Sequence, residues 1–219
     1  MEGPAKTRKR DLVGRSRAGD TIPVQKLANH ADPDRELVLR SQEGDTRAFD
    51  ELVDRHSRRL YGLVYNMTGN HEDSNDILQE VFAKAFRSIR RFRGKSTFGT
   101  WIYSIALNMS RNFLRKRSRR REFQFDPLSP GIYQDDEFEP LVAKGSPDNQ
   151  VNLNELQVRL NEALMQLSED HRAVVIMFDI QGMPHAKISD VLGVSAGTVR
   201  SRLFYAHQQL QNYLEEFRR

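Results

Sequence analysis

The fold of this chain is decided by residues 182–210, GMPHAKISDVLGVSAGTVRSRLFYAHQQL, where a glycine separates two segments of helical periodicity. Pro184 suits the N1 position of the first helix, and Gly193 allows a turn that a β-carbon would strain. Ser195 is placed to cap the second helix by accepting a hydrogen bond from an orphan backbone N–H. Apolar residues recur after it at helical spacing: Val199, Leu203, Ala206 and Leu210. Two helices joined in this way are typical of a helix-turn-helix.

The opposite face of the second helix is polar and basic, and it consists of Thr198, Arg200, Ser201, Arg202 and Phe204. On a helix laid in the major groove of DNA, an arginine can form two hydrogen bonds to a guanine edge. A hydroxyl can reach a base or a phosphate, and a ring edge can contact a thymine methyl. An ordinary helical hairpin with a solvated basic face would show the same pattern. This segment alone leaves both interpretations open.

A second basic segment favours a nucleic-acid partner. Residues 87–121 contain 12 arginines and lysines and no aspartate or glutamate, and they end in the run RKRSRRR. Such a segment repels itself unless a polyanion lies close to it. Aromatic residues on which unpaired bases can stack lie among the charges: Phe92, Phe98, Trp101, Tyr103 and Phe113. The spacing of Trp101, Ile105 and Met109 instead indicates a stripe that faces the core.

The loop at 93–99, RGKSTFG, is a more specific signal for a bound phosphate or an extruded base. It offers two glycines, two hydroxyls and a lysine just before a predicted helix. It is not a nucleotide-binding P-loop, because the first glycine of that pattern is missing upstream of Gly94 and no strand precedes it.

Composition excludes several classes of protein. The chain has 219 residues, a formal net charge of +4 and no cysteine, so disulfides and thiolate metal sites are excluded. Its six histidines show no ligand spacing, and we expect neither a metal site nor a cofactor. It shows no apolar run of membrane-spanning length and no signal-peptide core, so we expect a cytoplasmic protein without direct membrane insertion.

Helical periodicity and charge divide the chain into four parts. Residues 1–31 are basic and poor in apolar residues, which predicts a disordered tail. Residues 32–121 contain four helical segments, the first opened by a cap at Asp32, and predict a compact all-α domain. Residues 122–150 carry seven acids against one lysine, together with prolines and glycines, which indicates a flexible acidic linker.

The remaining residues, 151–219, predict a second small all-α domain that contains the helix-turn-helix. Ser168 is placed to cap one of its helices, and Glu169 and Asp170 in the first turn complement the helix dipole. The predicted fold is therefore all-α, with two small helical domains.

Four stretches, in order, resemble the extracytoplasmic-function (ECF, group 4) sigma factors of bacterial RNA polymerase, in the sigma-70 family. They are GDTRAFDELVDRHSRRLY at 44–61, EDSNDILQEVFAKAFRSIRRF at 72–92, FRGKSTFGTWIYSIALNMSRNFLRKRSRR at 92–120 and GTVRSRL at 197–203. The resemblance implies a region 2-like domain and a region 4-like domain. It also implies a factor that directs core polymerase to promoters and assists their melting, and that is not an enzyme.

The resemblance further implies site residues and partners. Asp76, Gln79 and Glu80 fall on the Asp-x-x-Gln-Glu pattern that binds core polymerase in the family. The third stretch corresponds to the loop and helix that bind and melt the minus-10 element, here Lys95, Ser96, Thr97, Phe98, Trp101, Asn108, Arg111 and Arg115. The outward residues of the last helix, Thr198, Arg200, Ser201, Arg202 and Phe204, would read the minus-35 element. The implied partners are core RNA polymerase, promoter DNA and an anti-sigma factor.

Two other classes of protein are compatible with parts of the sequence. A freestanding helix-turn-helix transcriptional regulator would use the same C-terminal module on an operator, with residues 34–120 as a dimerisation or sensing domain. An enzyme acting on nucleic acid would need paired carboxylates or metal ligands near the basic segment, and residues 87–121 contain none.

Overall fold

The structure, a computed structural model, describes residues 32–123 and 159–216, and all secondary structure there is helical. The predicted all-α class is thus confirmed. The helices are α1 (Arg35–Glu43), α2 (Thr46–Thr68), α3 (His71–Ser88), a 3-10 turn (Ile89–Arg91), α4 (Phe98–Phe123), α5 (described over 159–166), α6 (Glu169–Val175) with a π-helical turn (Ile176–Ile180), α7 (His185–Leu192) and α8 (Ala196–Glu216). The predicted basic tail and nearly all of the predicted acidic linker lie outside the described residues.

Helix α2 lies at the centre of the first helical domain, where it packs against α1, α3 and α4. Its core-facing residues recur at helical spacing and are fully buried: Leu52, Leu60, Leu63, Val64 and Met67. The helix starts after Asp45, whose carboxylate accepts a hydrogen bond from the backbone N–H of Ala48 at 3.2 Å. This cap satisfies one of the orphan donors of the first turn.

The start of α1 differs from the sequence prediction, which placed the helix cap at Asp32. The helix begins at Arg35, and Asp34 occupies its N-cap position without a side-chain capping bond. The carboxylate of Asp32 instead accepts a hydrogen bond from the backbone N–H of Phe98, at the start of α4, at 2.7 Å. Local sequence cannot show this, because the N–H of Phe98 belongs to a helix distant in sequence.

The C-terminal helices follow the predicted turn. Gly193 ends α7 with φ of +64°, in the left-handed region that favours glycine. Ser195 caps α8 by accepting from the backbone N–H of Thr198 at 3.0 Å, and Ser168 caps α6 in the same way at 3.3 Å. One detail was wrong: Pro184 has an extended backbone, so it is the N-cap residue of α7 and not its N1 residue.

The two helical domains pack against each other around a shared cluster of buried apolar residues. Helix α4 lies against α7, and α2 lies against α6 and the π-helical turn. Arg172 of α6 is buried at this junction, and its guanidinium donates to four backbone carbonyl oxygens: Met67, Leu164, Met165 and Leu167. Burial lowers the pKa of Arg172, and these hydrogen bonds replace the water that the cation has lost.

Candidate nucleic-acid interface

The outward face of α8 lies in solvent along most of its length. Val199 and Ala206 are fully buried on one side, while Arg200 and Ser201 are exposed on the other. Phe204 is 64% exposed, which is a large exposure for a phenylalanine. Thr198 is half-buried, with its hydroxyl bonded to that of Ser195 at 2.9 Å. The outward face of α8 is therefore exposed where a DNA groove could contact it.

The loop and the first turns of α4 form a second polar surface. Lys95 is exposed, Ser96 is half-buried, and Trp101 is half-buried with its ring 4.9 Å from that of Phe92. Asn108 lies exposed two turns further along the same helix. The structure therefore places an amide, a cation and an aromatic ring along one stretch of backbone.

Two of the residues predicted to bind DNA through this loop have a structural role. Phe98 is fully buried, so its ring supports α4 from inside the domain and offers no face to a base. The hydroxyl of Thr97 caps the first turn of α4 by accepting from the backbone N–H of Thr100 at 3.2 Å. A direct DNA contact suits Lys95 and Asn108 better than it suits Phe98.

One acidic residue joins the two basic surfaces. Asp170 Oδ1 accepts a hydrogen bond from Arg111 of α4 at 2.5 Å, and Asp170 Oδ2 forms an ion pair with the guanidinium of Arg202 of α8 at 2.6 Å. Its neighbour Glu169 lies 3.7 Å from Arg115. Three of the predicted DNA-binding arginines are thus paired with carboxylates at the start of α6. The sequence indicated only a helix-dipole role for these acids, because nothing in the chain order links them to either basic surface.

A third polar surface lies on α3. Asp76, Gln79 and Glu80 are all exposed, whereas Ile77 and Val81 of the same helix are buried. The exposed surface of this helix also contains Phe86, which is 48% exposed and touches Phe49 edge-on with ring centroids 5.0 Å apart. The surface therefore combines carboxylates and an amide with an exposed aromatic ring, a side chain that is enriched at protein interfaces.

Residues 32–123 and 159–216 contain no cluster of histidine and carboxylate side chains that could hold a metal ion. Within the same ranges no helix is both long enough and apolar enough to cross a membrane.

An all-helical chain with a helix-turn-helix in one domain and a basic, aromatic helix in the other has the architecture of a transcription protein of the helix-turn-helix class. The family model of Sigma-70 region 2 matches residues 52–120, and that of Sigma-70, region 4 matches residues 157–210. The chain belongs to the extracytoplasmic-function sigma-factor family of RNA polymerase.

Curated relatives carry the same assignment. The RNA polymerase sigma-H factor of Pseudomonas aeruginosa is 34% identical over 186 residues, covering 83% of this chain and 94% of the relative. The ECF RNA polymerase sigma-E factor of Haemophilus influenzae is 34% identical over 182 residues, covering 83% of this chain and 95% of the relative. The sigma-E factor of Escherichia coli is 33% identical over 187 residues, with 83% and 94% covered.

Two solved structures share the fold. The structure of CnrH in complex with the cytosolic domain of CnrY matches with a TM-score of 0.62 and 24% identity, over 84% of this chain and 99% of that chain. The sigma factor RpoE in complex with the anti-sigma factor NepR, from Bartonella quintana, matches with a TM-score of 0.57 and 23% identity, over 76% and 96%.

Proposed function

We propose that this chain binds core RNA polymerase, directs it to promoters that have two separated elements, and assists the opening of the strands. The observation that carries the proposal is that three different surfaces lie exposed on one chain: the polar stripe of α3, the loop and outer face of α4, and the outer face of α8. A freestanding regulator needs the last of these, and it has no use for the first. Membership of the sigma-factor family favours the same function.

The proposal assigns the minus-35 element to α8. Arg200, Ser201 and Phe204 are exposed and lie in the first half of that helix, the part that contacts base edges when a recognition helix enters the major groove. Thr198 lies at the same end. Arg202 can join them only if it exchanges the carboxylate of Asp170 for a DNA group.

The proposal assigns the minus-10 element to the loop at 93–97 and to α4. Asn108 can bond the edge of an extruded base, and the half-exposed ring of Trp101 can stack on one. Stacking of a base on an aromatic ring is worth about 1–3 kcal/mol, which helps to offset the unstacking of the duplex. Lys95, Arg111 and Arg115 are assigned to phosphates. Each of these steps is non-covalent binding, so we propose an initiation factor that is not an enzyme.

Binding of core polymerase is assigned to the polar stripe of α3, formed by Asp76, Gln79 and Glu80. The proposed place of action is the cytoplasm, where core polymerase works. We further propose an anti-sigma factor as a regulatory partner. Two exposed aromatic residues of α8, Phe204 and Tyr205, support this partner because apolar side chains in solvent often mark a protein contact.

The test is run-off transcription with purified bacterial core polymerase on fragments of genomic DNA. We expect discrete transcripts only when core and chain are both present, and their start sites give the promoter. A double variant, Asp76→Ala with Gln79→Ala, should lose co-purification with core while it keeps its helical circular-dichroism signal. The matched control is Asp50→Ala with Asp54→Ala, which removes two exposed acids of α2.

Two outcomes would overturn the proposal. A chain that binds DNA fragments alone and yields no transcript with core is a freestanding regulator. If the α3 double variant folds and still binds core polymerase as well as the parent does, α3 is not the polymerase-binding surface.

A further inference from the structure

The start of helix α4 is capped by a residue from the beginning of the domain. Asp32 Oδ2 accepts from the backbone N–H of Phe98 at 2.7 Å, across 66 residues of sequence. The other carboxylate oxygen accepts from the backbone N–H of Asp34 at 3.1 Å, which fixes the orientation of the carboxylate. A carboxylate at this position satisfies an orphan donor and interacts favourably with the helix dipole.

A second carboxylate supports the same helix start from inside the domain. Asp34 is only 4% exposed, and its Oδ2 lies 2.6 Å from Nε2 of His56. The His56 ring in turn lies against Phe98, with ring centroids 5.3 Å apart. A β-carbon at Gly99 would sit 3.3 Å from Cε1 of His56, so a larger residue at position 99 would displace the ring by a few tenths of an ångström.

The other end of the loop is held by α1. The side-chain amide of Gln42 donates to the carbonyl oxygens of Ile89 and Phe92, both at 2.9 Å. These two carbonyls belong to the last turn before the loop at 93–97. The segment from Asp32 to Gln42 therefore binds the chain on both sides of that loop.

The geometry points to Asp32 and Gln42 as positioning residues for the capture of an unpaired promoter base by the loop. This inference rests on the proposed function, in which the loop and α4 bind the melted minus-10 strand. Neither residue needs to touch DNA. Because both ends of the loop are fixed in the folded protein, Lys95 and Ser96 are presented from a short constrained segment. Little conformational entropy then remains to be lost when a base binds.

The experiment uses the full chain assembled with core polymerase on a promoter mapped by run-off transcription. Two quantities are measured: permanganate reactivity of thymines in the linear promoter, and affinity for a single-stranded oligonucleotide of the non-template minus-10 strand. We expect Asp32→Ala to lower both by about fivefold, the size of effect expected for one lost helix cap. Asp32→Asn should restore only part of the loss, because its amide oxygen can accept from the backbone N–H of Phe98 but its amide nitrogen cannot accept from that of Asp34. Gln42→Ala should act in the same direction as Asp32→Ala.

The matched control is Asp45→Ala, which removes the cap of α2 and an ion pair with Arg40 at 2.7 Å in the same domain. It should lower the thermal midpoint at least as much as Asp32→Ala while leaving strand opening at the parent level. The inference is overturned if Asp32→Ala opens the promoter and binds the oligonucleotide like the parent. It is also overturned if Asp45→Ala impairs both to the same degree, since the effect is then general stability. A parent holoenzyme with no preference for the single strand would overturn the proposed function itself, and this inference with it.

Discussion

Arg172 donates a hydrogen bond to the backbone carbonyl oxygen of Met67 at 2.6 Å, which links α6 in one domain to the last turn of α2 in the other. The same guanidinium bonds three carbonyl oxygens around the end of α5: Leu164, Met165 and Leu167. A buried cation therefore adds a hydrogen bond across the apolar packing of the two domains. This arrangement can be tested through stability.

We expect Arg172→Ala to lower the free energy of unfolding by about 2–4 kcal/mol, because four carbonyl oxygens lose the hydrogen bond from the guanidinium and a cavity remains. Arg172→Lys should lose less, since it keeps the charge, but an ammonium group cannot reproduce the planar fork of donors. Urea unfolding followed by circular dichroism measures both. Arg119→Ala, at an exposed position of α4, is the control and should unfold like the parent. A urea midpoint for Arg172→Ala equal to that of the parent would contradict the prediction.

Arg200 is exposed near the start of α8, where a recognition helix reaches base edges. If it bonds a guanine, Arg200→Ala should lose about 1–3 kcal/mol on the preferred promoter and relax selectivity at one base position. Binding of holoenzyme to a set of promoters with single-base changes measures this. Gln208→Ala, at an exposed position two turns later, should leave selectivity intact. A uniform loss across all promoters would identify Arg200 as a phosphate contact instead.

Asn108 is exposed on α4, and a base edge that it could bond is unavailable inside a stacked duplex. Asn108→Ala should therefore spare holoenzyme assembly but reduce permanganate reactivity and run-off product. Asn112→Ala, one turn later and also exposed, serves as the control. A pre-melted bubble template should rescue the variant only weakly if Asn108 captures a base, and strongly if it acts in duplex opening. Parental opening rates at several salt concentrations would make Asn108 a structural residue.

Asp170 pairs with one arginine from each basic surface, Arg111 at 2.5 Å and Arg202 at 2.6 Å. Asp170→Asn should raise the affinity of the free chain for duplex DNA by about two- to tenfold, the range that partly exposed ion pairs can supply. Fluorescence anisotropy with the preferred promoter measures the change. Asp179→Asn is the control, since Asp179 lies in the π-helical turn after α6 and pairs with His207 of α8, which is not a predicted DNA-binding residue. Equal gains in DNA affinity for the two variants would show that the effect comes only from the change in net charge.

Asp34 gives a prediction on pH. The hydrogen bond with His56 is the main cause that lowers the pKa of Asp34 below its usual value of 3.8, and Arg55 adds to it against the effect of burial. Because the pKa is lower in the folded state, this carboxylate stabilises the fold above the unfolded pKa, and that stabilisation is lost as pH falls through the folded value. Asp34→Asn should lower the thermal midpoint at neutral pH and flatten its decline below about pH 4. Asp54→Asn, which removes an exposed carboxylate of α2, is the control and should leave the thermal midpoint at neutral pH unchanged.

The sequence was a good guide to features that depend on neighbouring residues. The cap at Ser195, the turn at Gly193 and the buried stripe of α8 all follow from local spacing, and the structure confirms them. Contacts between distant segments could not be predicted in this way. Asp32 reads as a cap of the helix beside it, and only the folded chain brings it to the start of α4.

The same limit applies to the candidate site. Phe98 lies among cations in the sequence, which favours a base-stacking role, yet the fold places it at 0% exposure because the helix start is covered by His56 and the aromatic residues around it. Asp170 lies in a helix first turn, where an acid is expected on local grounds. Its two arginine partners lie on α4 and α8, and hydrophobic periodicity does not show how those helices pack against α6.

If Arg111 and Arg202 bind DNA as proposed, the shared position of Asp170 between them makes it an internal competitor of DNA. A tethered carboxylate competes at an effective concentration that dilution of the protein does not change. DNA that engages only one domain must displace Asp170 from one arginine while the other still holds it in place. DNA that engages both domains removes both of its ion pairs together. The packed chain would thus favour DNA with two correctly spaced elements over DNA with one, before any base is recognised.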